Sequence, residues 1–270
     1  MAAGAEGGVD PVPPGVTYGA MARRKTKSDP TPSETPAPAD RYPARGLTAL
    51  VLTLRRLALR AVLIAAAVAL ALIVLFRVLN PPMTWTMWSE SRRLGAIDQE
   101  WTDMSDIAPV MRRSVVAAED ANFCTHWGFD MAAIRQAMDA GGERGASTIT
   151  QQVVKNVFLW QGRSWLRKAI EATLTPPVEL VWNKRRILEV YLNVAEFSEG
   201  VFGINAAAFH YFRTTPDKLT PRQAALLAAV LPDPKGRSAS HPSRFVQRRA
   251  SAIEQGAETI RVDGRSACFE

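Results

Sequence analysis

The stretch from Leu57 to Leu79 constrains this chain most, because it is apolar except for Arg60 and Arg77 and carries no charge between Ala61 and Phe76. Wound as a helix it spans roughly 34 Å, enough to cross a hydrocarbon core about 30 Å thick while both arginines reach the interfaces. A buried core helix is one competing reading, but core helices seldom run so far without a polar face. A cleaved secretion signal is the other. It is disfavoured because the run begins far from the first residue and is followed by Asn80-Pro81-Pro82 without an Ala-x-Ala site. The expectation is one uncleaved transmembrane helix.

Arg23, Arg24, Lys25, Lys27, Arg41, Arg45, Arg55, Arg56 and Arg60 all precede the uncharged run. Basic residues accumulate on the cytoplasmic side of a span, so the N-terminus is placed in the cytoplasm and everything after residue 80 outside the inner membrane. Residues 1–46 are crowded with Gly, Pro, Ser, Thr and Ala, too little apolar surface to offset the entropy of ordering. The chain therefore divides into a disordered cytoplasmic tail (1–46), a signal-anchor helix with its flank (47–80) and a periplasmic domain (81–270). Trp85, Trp88 and Trp101 follow the anchor closely, where aromatic rings favour the membrane interface, with packing inside the domain as the alternative.

At 270 residues, 47% hydrophobic and 22% charged, the chain has room for one catalytic domain of ordinary size and not for two large enzymes. A formal charge of +7 suits a polyanionic partner: nucleic acid, anionic lipid head groups or pyrophosphate. Charge alone does not choose among them. The two cysteines, Cys124 and Cys268, lack the paired spacing of a zinc site and are too few for a disulfide framework. One buried thiol and one loose thiol are expected, with a single bridge as the alternative in an oxidising compartment.

Beyond residue 100 the periodicity is helical. Met131, Ile134 and Met138 fall at helix spacing and stop at Gly141-Gly142; Ile149, Val153 and Val157 repeat the pattern, as do Ile187, Tyr191 and Val194. Thr220-Pro221-Arg222-Gln223 places a cap, a first-turn proline and a glutamine three residues on, opening the apolar run from Ala224 to Leu231. No alternating strand of useful length is present, so the domain is expected to be mainly α.

Three segments carry chemistry. In the first, Ile107, Met111, Val115 and Ala118 share the face of a helix that delivers Glu119-Asp120 where the chain turns polar and aromatic. Partial burial beside Phe123 and Trp127 would raise a carboxyl there toward the working pH of a base, although an arbitrary Glu-Asp pair more often caps or pairs locally. In the second, a Gly-rich turn leads into a helix with Thr148, Gln151 or Gln152, and Lys155 on one face, donors that suit phosphate or sugar but more commonly form a solvated face. No Gly-x-x-x-x-Gly-Lys occurs, so a nucleotide-binding loop is unsupported. In the third, Arg163, Arg167 and Glu171 stand at successive four-residue steps with Lys168 beside them. Such clustered cations can hold a pyrophosphate as it leaves, while a surface ion pair is the bland reading.

The ordered set changes the odds. Glu-Asp-x-x-Phe-x-x-His-x-Gly-x-Asp (119–130), Gly-x-Ser-Thr-Ile-Thr-Gln-Gln-x-x-Lys-Asn (145–156), Arg-Lys-x-x-Glu (167–171) and Lys-x-x-Ile-Leu-Glu-x-Tyr-Leu-Asn (184–193) together resemble the family 51 glycosyltransferases, the peptidoglycan transglycosylases. The resemblance covers roughly residues 85–260. It is to the monofunctional type, since no Ser-x-x-Lys exists anywhere and no length remains for a transpeptidase.

The resemblance implies a lysozyme-like, mainly helical catalytic domain beside the membrane, polymerising lipid II onto a growing lipid-linked strand with inversion and release of undecaprenyl pyrophosphate. Glu119 matches the family's general base and Glu171 its second, orienting carboxylate. Ser147, Thr148, Gln151, Gln152, Lys155, Arg163, Arg167 and Lys168 are implied to line the donor and pyrophosphate site. No cofactor is required, no metal ligands are assigned, and a divalent cation, magnesium or manganese, at the pyrophosphate is allowed. Other cell-wall synthases or division proteins are compatible partners; nucleic acid is not expected.

Two positions depart from the pattern. Pro176-Pro177 interrupts a region where relatives continue a helix, which puts the geometry after Leu174 in question. Tyr211-Phe212-Arg213-Thr214 replaces the family's Tyr-Phe-Gly-Lys. His126 fills the motif's histidine and reads as a structural group holding the loop. A lytic, lysozyme-like hydrolase is the alternative enzyme, but it has no pyrophosphate to release and no need of the cations; a tethered non-enzymatic scaffold would leave the motifs without purpose.

Overall fold

The computed structural model describes residues 44–141, 145–162 and 164–270; the expectations for the tail up to residue 43, for Gly142 and for Arg163 lie outside the described residues. The chain divides into two units, one up to Thr53 and one from Leu54 to Glu270. The described part of the first is the start of helix α1 (Ala44–Phe76), where the Thr53 hydroxyl donates to the Ala49 carbonyl at 2.8 Å. From Thr48 to Phe76 this helix has 29 residues, a mean hydropathy of 2.8 and almost no buried surface, so it is long and apolar enough to cross a membrane.

The second unit continues through α2 (Trp85–Leu94), α3 (Pro109–Glu119), α4 (Met131–Asp139), α5 (Ile149–Phe158), α6 (Trp165–Val181), α7 (Lys184–Val194), α8 (Gly203–Phe212), α9 (Pro221–Val230) and α10 (Arg244–Val262). Side-chain caps start most of them: Thr84, Asp130, Thr148, Ser164, Asn183, Thr220 and Ser243 each accept an otherwise orphaned first-turn N–H. A small sheet of β1 (Asp98–Gln99), β2 (Glu196–Ser198) and β3 (Val201–Phe202) has the order β1-β3-β2, parallel between β1 and β3 and antiparallel between β2 and β3. Strands of two or three residues leave no alternating signature, which is why the sequence showed none.

The helices pack in two groups. α3, α9 and α10 form one, with every residue of α9 from Ala224 to Val230 buried; its alanines permit close approach. α5, α6, α7 and α8 form the other. A Cβ at Gly256 of α10 would stand 3.2 Å from the Ala117 Cβ, so α10 lies tightly against the end of α3. Gly203 has φ +80°, and a Cβ there would meet the Asn193 carbonyl at 2.9 Å, so only glycine lets β3 pass directly into α8.

The end of α1 is docked on the domain. The Trp182 indole N–H donates to the Ile73 carbonyl at 2.6 Å, and Arg186 donates to the carbonyls of Phe76 (3.1 Å) and Leu79 (2.7 Å). A guanidinium at this point satisfies orphaned carbonyls and complements the negative end of the helix dipole. The same Arg186 lies 5.3 Å over the Trp101 ring, so Trp101 packs within the domain, unlike Trp85 and Trp88, which are exposed and stacked on each other.

α4 forms where the spacing of Met131, Ile134 and Met138 predicts a helix, with Met131 and Met138 exposed and Ala137 its one buried residue. Three expectations are corrected. α6 runs unbroken through Pro176 and Pro177, because the carbonyls of Ala172 and Thr173, which the missing N–H groups would have served, belong to residues open to water. α3 starts at Pro109, leaving Ile107 buried ahead of it. Cys124 and Cys268 are disulfide-bonded, their Cα atoms 5.7 Å apart, since the segment after α10 folds back onto the turn after α3. Closing a loop of 144 residues removes unfolded-state entropy equivalent to about 5 kcal/mol in the chain-entropy account. At the other departure, Arg213 takes φ 52° at the end of α8, the left-handed conformation that the family's glycine adopts at least cost.

Asn193 carries the tightest polar knot in the core. Fully buried, it accepts the Thr102 N–H at 2.7 Å and donates to the carbonyls of Thr102 (2.9 Å) and Glu189 (2.8 Å). Asn193→Leu leaves both backbone groups of Thr102 unserved in the interior and should destabilise the domain by about 2–4 kcal/mol. Thermal unfolding in detergent measures it; an unchanged melting temperature would show the knot to be dispensable.

Candidate active site

α3 ends where Asp120 turns out of helical geometry (φ −162°, ψ 70°). The Asp120 carboxylate then makes two ties: Oδ2 accepts the Ile149 N–H at 3.0 Å, and Oδ1 lies 2.7 Å from His126 Nε2. The first places a negative charge at the N-terminus of α5, where exposed N–H groups and the dipole favour it. The second closes the turn of residues 120–126, and Lys184 holds that turn from behind by donating to the His126 carbonyl at 2.8 Å, its ammonium 4.5 Å from the centre of the buried Phe123 ring. His126 thus acts as a holder of the loop.

With α3 joined to α5, Glu119 and Gln152 face each other. The Gln152 amide donates to Glu119 Oε2 at 2.9 Å and its oxygen accepts from the Tyr191 hydroxyl at 3.3 Å, which fixes the amide's orientation. The other carboxylate oxygen, Oε1, is buried without a hydrogen bond. Arg249 of α10 approaches it to 3.7 Å while donating to the Ala118 carbonyl at 3.3 Å, and its own Nε is also buried and unbonded. Burial raises the Glu119 carboxyl above the ordinary range; the Gln152 hydrogen bond and the charges of Arg249 and Lys155 oppose this, and Asp120 adds to it. Burial, with the Glu119 charge, likewise pushes Tyr191 well above a normal phenol.

The second cluster gathers on α6. Glu171, 3% exposed, receives Arg167 Nη1 on Oε2 at 3.1 Å and Lys168 on Oε1. Lys168 also lies 3.3 Å from Ser147 Oγ, and Arg167 Nε donates to the Gly162 carbonyl at 2.8 Å. Lys155 belongs electrostatically to both clusters: burial lowers its proton affinity, Glu171 and Glu119 restore it, and Arg167 and Lys168 act against it. A divalent cation at Glu171 would compete with Arg167 and Lys168, each already paired with one carboxylate oxygen. Among the described residues no three His, Cys, Asp or Glu side chains converge as a metal site.

Two clefts meet here. One of about 500 Å³ is lined by Gln152, Lys155, Asn156 and Tyr191 and runs to Glu90, Glu196 and Lys235. The other, about 290 Å³, is lined by Glu119, Asp120, Asn122 and Ser147. The Glu119–Gln152 hydrogen bond passes from one to the other. The arrangement offers a buried carboxylate with one oxygen that accepts no hydrogen bond, together with cations able to receive an anion.

Of the expected site residues, Glu119, Gln152 and Lys155 share one network, and Ser147, Arg167, Lys168 and Glu171 the other. Thr148 lines the smaller cleft beside Ser147, but its hydroxyl is engaged within the protein: it forms a reciprocal capping box with Gln151 and donates to the Gly128 carbonyl at 2.7 Å. A helix beginning inside the domain satisfies its first N–H groups with protein, and the side chains of Thr148 and Gln151 serve that purpose. Tyr191 and Arg249 join the site without having been expected there. Tyr191 stood in a quoted motif, whereas Arg249 is one of several arginines on an amphipathic helix, 130 residues from Glu119, and nothing local marks it.

The comparisons with known proteins point to one family. A family model described as Transglycosylase matches residues 89–257. The chain is 57% identical over 220 residues, 82% of its length and 92% of the relative's, to a biosynthetic peptidoglycan transglycosylase of Jannaschia sp. (strain CCS1). It is 47% identical over 222 residues (78% and 91%) to one of Pectobacterium carotovorum subsp. carotovorum (strain PC1). With a relative of Xanthomonas campestris pv. campestris (strain B100) carrying the same name it shares 45% over 216 residues (76% and 88%). The chain is mainly helical, with a lysozyme-like transglycosylase domain and one N-terminal apolar helix long enough to cross a membrane. With a family model over more than half its length and relatives this similar across most of theirs, the chain belongs to the transglycosylase family, as a peptidoglycan glycosyltransferase.

Proposed function

We propose that the chain polymerises lipid II into glycan strands at the outer face of the inner membrane, with Glu119 as general base. The observation that carries this is the buried Oε1 of Glu119, which accepts no hydrogen bond and faces only the Arg249 guanidinium at 3.7 Å, in a domain that also gathers Arg167 and Lys168 on Glu171. Glu119 takes the proton of the acceptor sugar's 4-hydroxyl, the oxygen attacks the donor's anomeric carbon from the opposite face, and the bond to pyrophosphate breaks with its electron pair leaving on the phosphate. Lys155, Arg167 and Lys168 receive that charge, and the configuration inverts. Burial favours the protonated carboxyl, which makes Glu119 a willing acceptor once the reaction begins; Gln152 and Tyr191 keep it aimed.

The membrane placement rests on α1 and on the basic residues before its uncharged run. A bridge between Cys124 and Cys268 persists in an oxidising compartment, which agrees with a periplasmic domain. A lytic hydrolase would also use a buried glutamate but leaves the cations without a role. Purified protein should convert labelled lipid II to polymer and leave purified peptidoglycan uncut; cleavage of the latter without polymer would overturn the reading.

Glu119→Gln should retain the fold and melt no lower than the parent, since it removes a charge that burial disfavours, while polymerisation falls by about 10²–10⁴-fold. Turnover near the parental value would exclude Glu119 as the base. The base must start ionised, so activity should fall as pH is lowered through a carboxyl titrating above the usual range. Arg249 favours the ionised form. Arg249→Met should therefore shift this acid limb to higher pH, read as kcat/KM against pH; a limb that stays put would mean that Arg249 does not act on Glu119.

A further inference from the structure

The segment after α10 grips the turn that follows Glu119, and its contacts reach little else. Cys268 is bonded to Cys124 in the middle of that turn. Arg265 Nη1 donates to the Ala121 carbonyl at 3.0 Å, two residues beyond Glu119. Phe269, 1% exposed, lies 6.3 Å from Phe123 between ring centres. The segment is in turn held by the domain: Arg185 Nη1 donates to the Glu270 carbonyl at 2.9 Å, Arg113 of α3 pairs with the Glu270 carboxylate, and Ser266 Oγ donates to that carboxylate at 2.9 Å.

α10 needs none of this to pack. Val246, Ala250, Ile253, Ala257 and Ile260 are buried along it, and it lies against α3 and α9 over its length. The turn, by contrast, is short and built on few internal hydrogen bonds: Phe123 N–H to Asp120 at 3.0 Å and Thr125 N–H to Asn122 at 2.8 Å. It nonetheless carries the Asp120 ties to His126 and Ile149 on which the position of Glu119 depends.

We propose that residues 263–270 act as a positioning strap, in which the Cys124–Cys268 bridge and Arg265 hold the 120–126 turn so that Glu119 stays aimed at the cleft. Lys184 of α7 supports the turn at the His126 carbonyl, and the strap holds it at Ala121 and Cys124. A displacement of the order of 1 Å at a catalytic group can cost about 10²-fold in rate, so a device that limits the turn's excursions acts on turnover before it acts on global stability. The proposal rests on Glu119 being the base, but the motion of the turn can be measured without any activity.

The test uses the full chain in detergent micelles, as the Cys124→Ser/Cys268→Ser double variant and as Arg265→Met, which keeps the bridge. Amide hydrogen exchange should quicken in residues 120–126 and 263–270 in both, with α5, α7 and α9 as protected as in the parent. On labelled lipid II, kcat should fall by about tenfold in the double variant and by a smaller factor in Arg265→Met, with KM unchanged, as expected when aim and not binding is lost. Parental exchange in 120–126, or quickened exchange with parental kcat, would overturn the strap. Loss of protection throughout the double variant would mean a global structural bridge; Arg265→Met then decides, since parental exchange and kcat there would leave no positioning role. Should the parent itself make no polymer, the function fails while the exchange still reports whether the strap holds the turn.

Discussion

The contact on which the site depends is the one between the Asp120 carboxylate and the Ile149 N–H. It is a helix-terminus interaction of ordinary strength, yet it joins the last residue of one helical group to the first of the other. α3 belongs with α9 and α10, α5 with α6, α7 and α8. Apolar surface between the two groups resists separation but tolerates sliding, because hydrophobic contact is not directional, so their register depends on the polar links, of which this one and the Gln152–Glu119 hydrogen bond join α3 to α5 directly. A carboxylate aimed at the first N–H of α5 removes the freedom to slide. Glu119 is then set opposite Gln152.

Burial governs what these groups can do. A carboxylate held away from water binds its proton more readily, and an ammonium held away from water releases it more readily. Glu119 and Lys155 are shifted toward each other in this way, the acid up and the amine down, while each partly offsets the other's shift. Glu171 is handled differently, since two cations satisfy both of its oxygens. It gathers cations; Glu119 keeps one oxygen without a hydrogen bond. Two glutamates of the same chemistry are separated into distinct roles by partners that come from different helices.

The anchor is coupled to this domain by named contacts. Trp182 and Arg186, on either side of the α6–α7 junction, hold the carbonyls at the end of α1. Arg186 also pairs with Glu189, whose other oxygen accepts the Met104 N–H at 2.9 Å, and Asn193 one turn further on clasps Thr102. One face of α7 therefore carries the connection to the anchor, while Tyr191, on the same helix, reaches the site through Gln152.

Much was legible in the sequence because it depends on neighbours a few residues apart. The apolar run, the Thr220 cap, the helical periods and the ordered motifs lie in stretches of a few turns at most, and the family and fold class followed from them. The Met131 and Met138 stripe shows the limit: spacing gives the helix, but which way its face points depends on what packs against it. Tertiary structure alone decided the rest. It set Arg249 beside Glu119 from 130 residues away, bonded Cys268 to Cys124, and brought the Thr102 backbone to Asn193. Each of these requires the chain to fold back on itself, and no local pattern records where a distant segment returns.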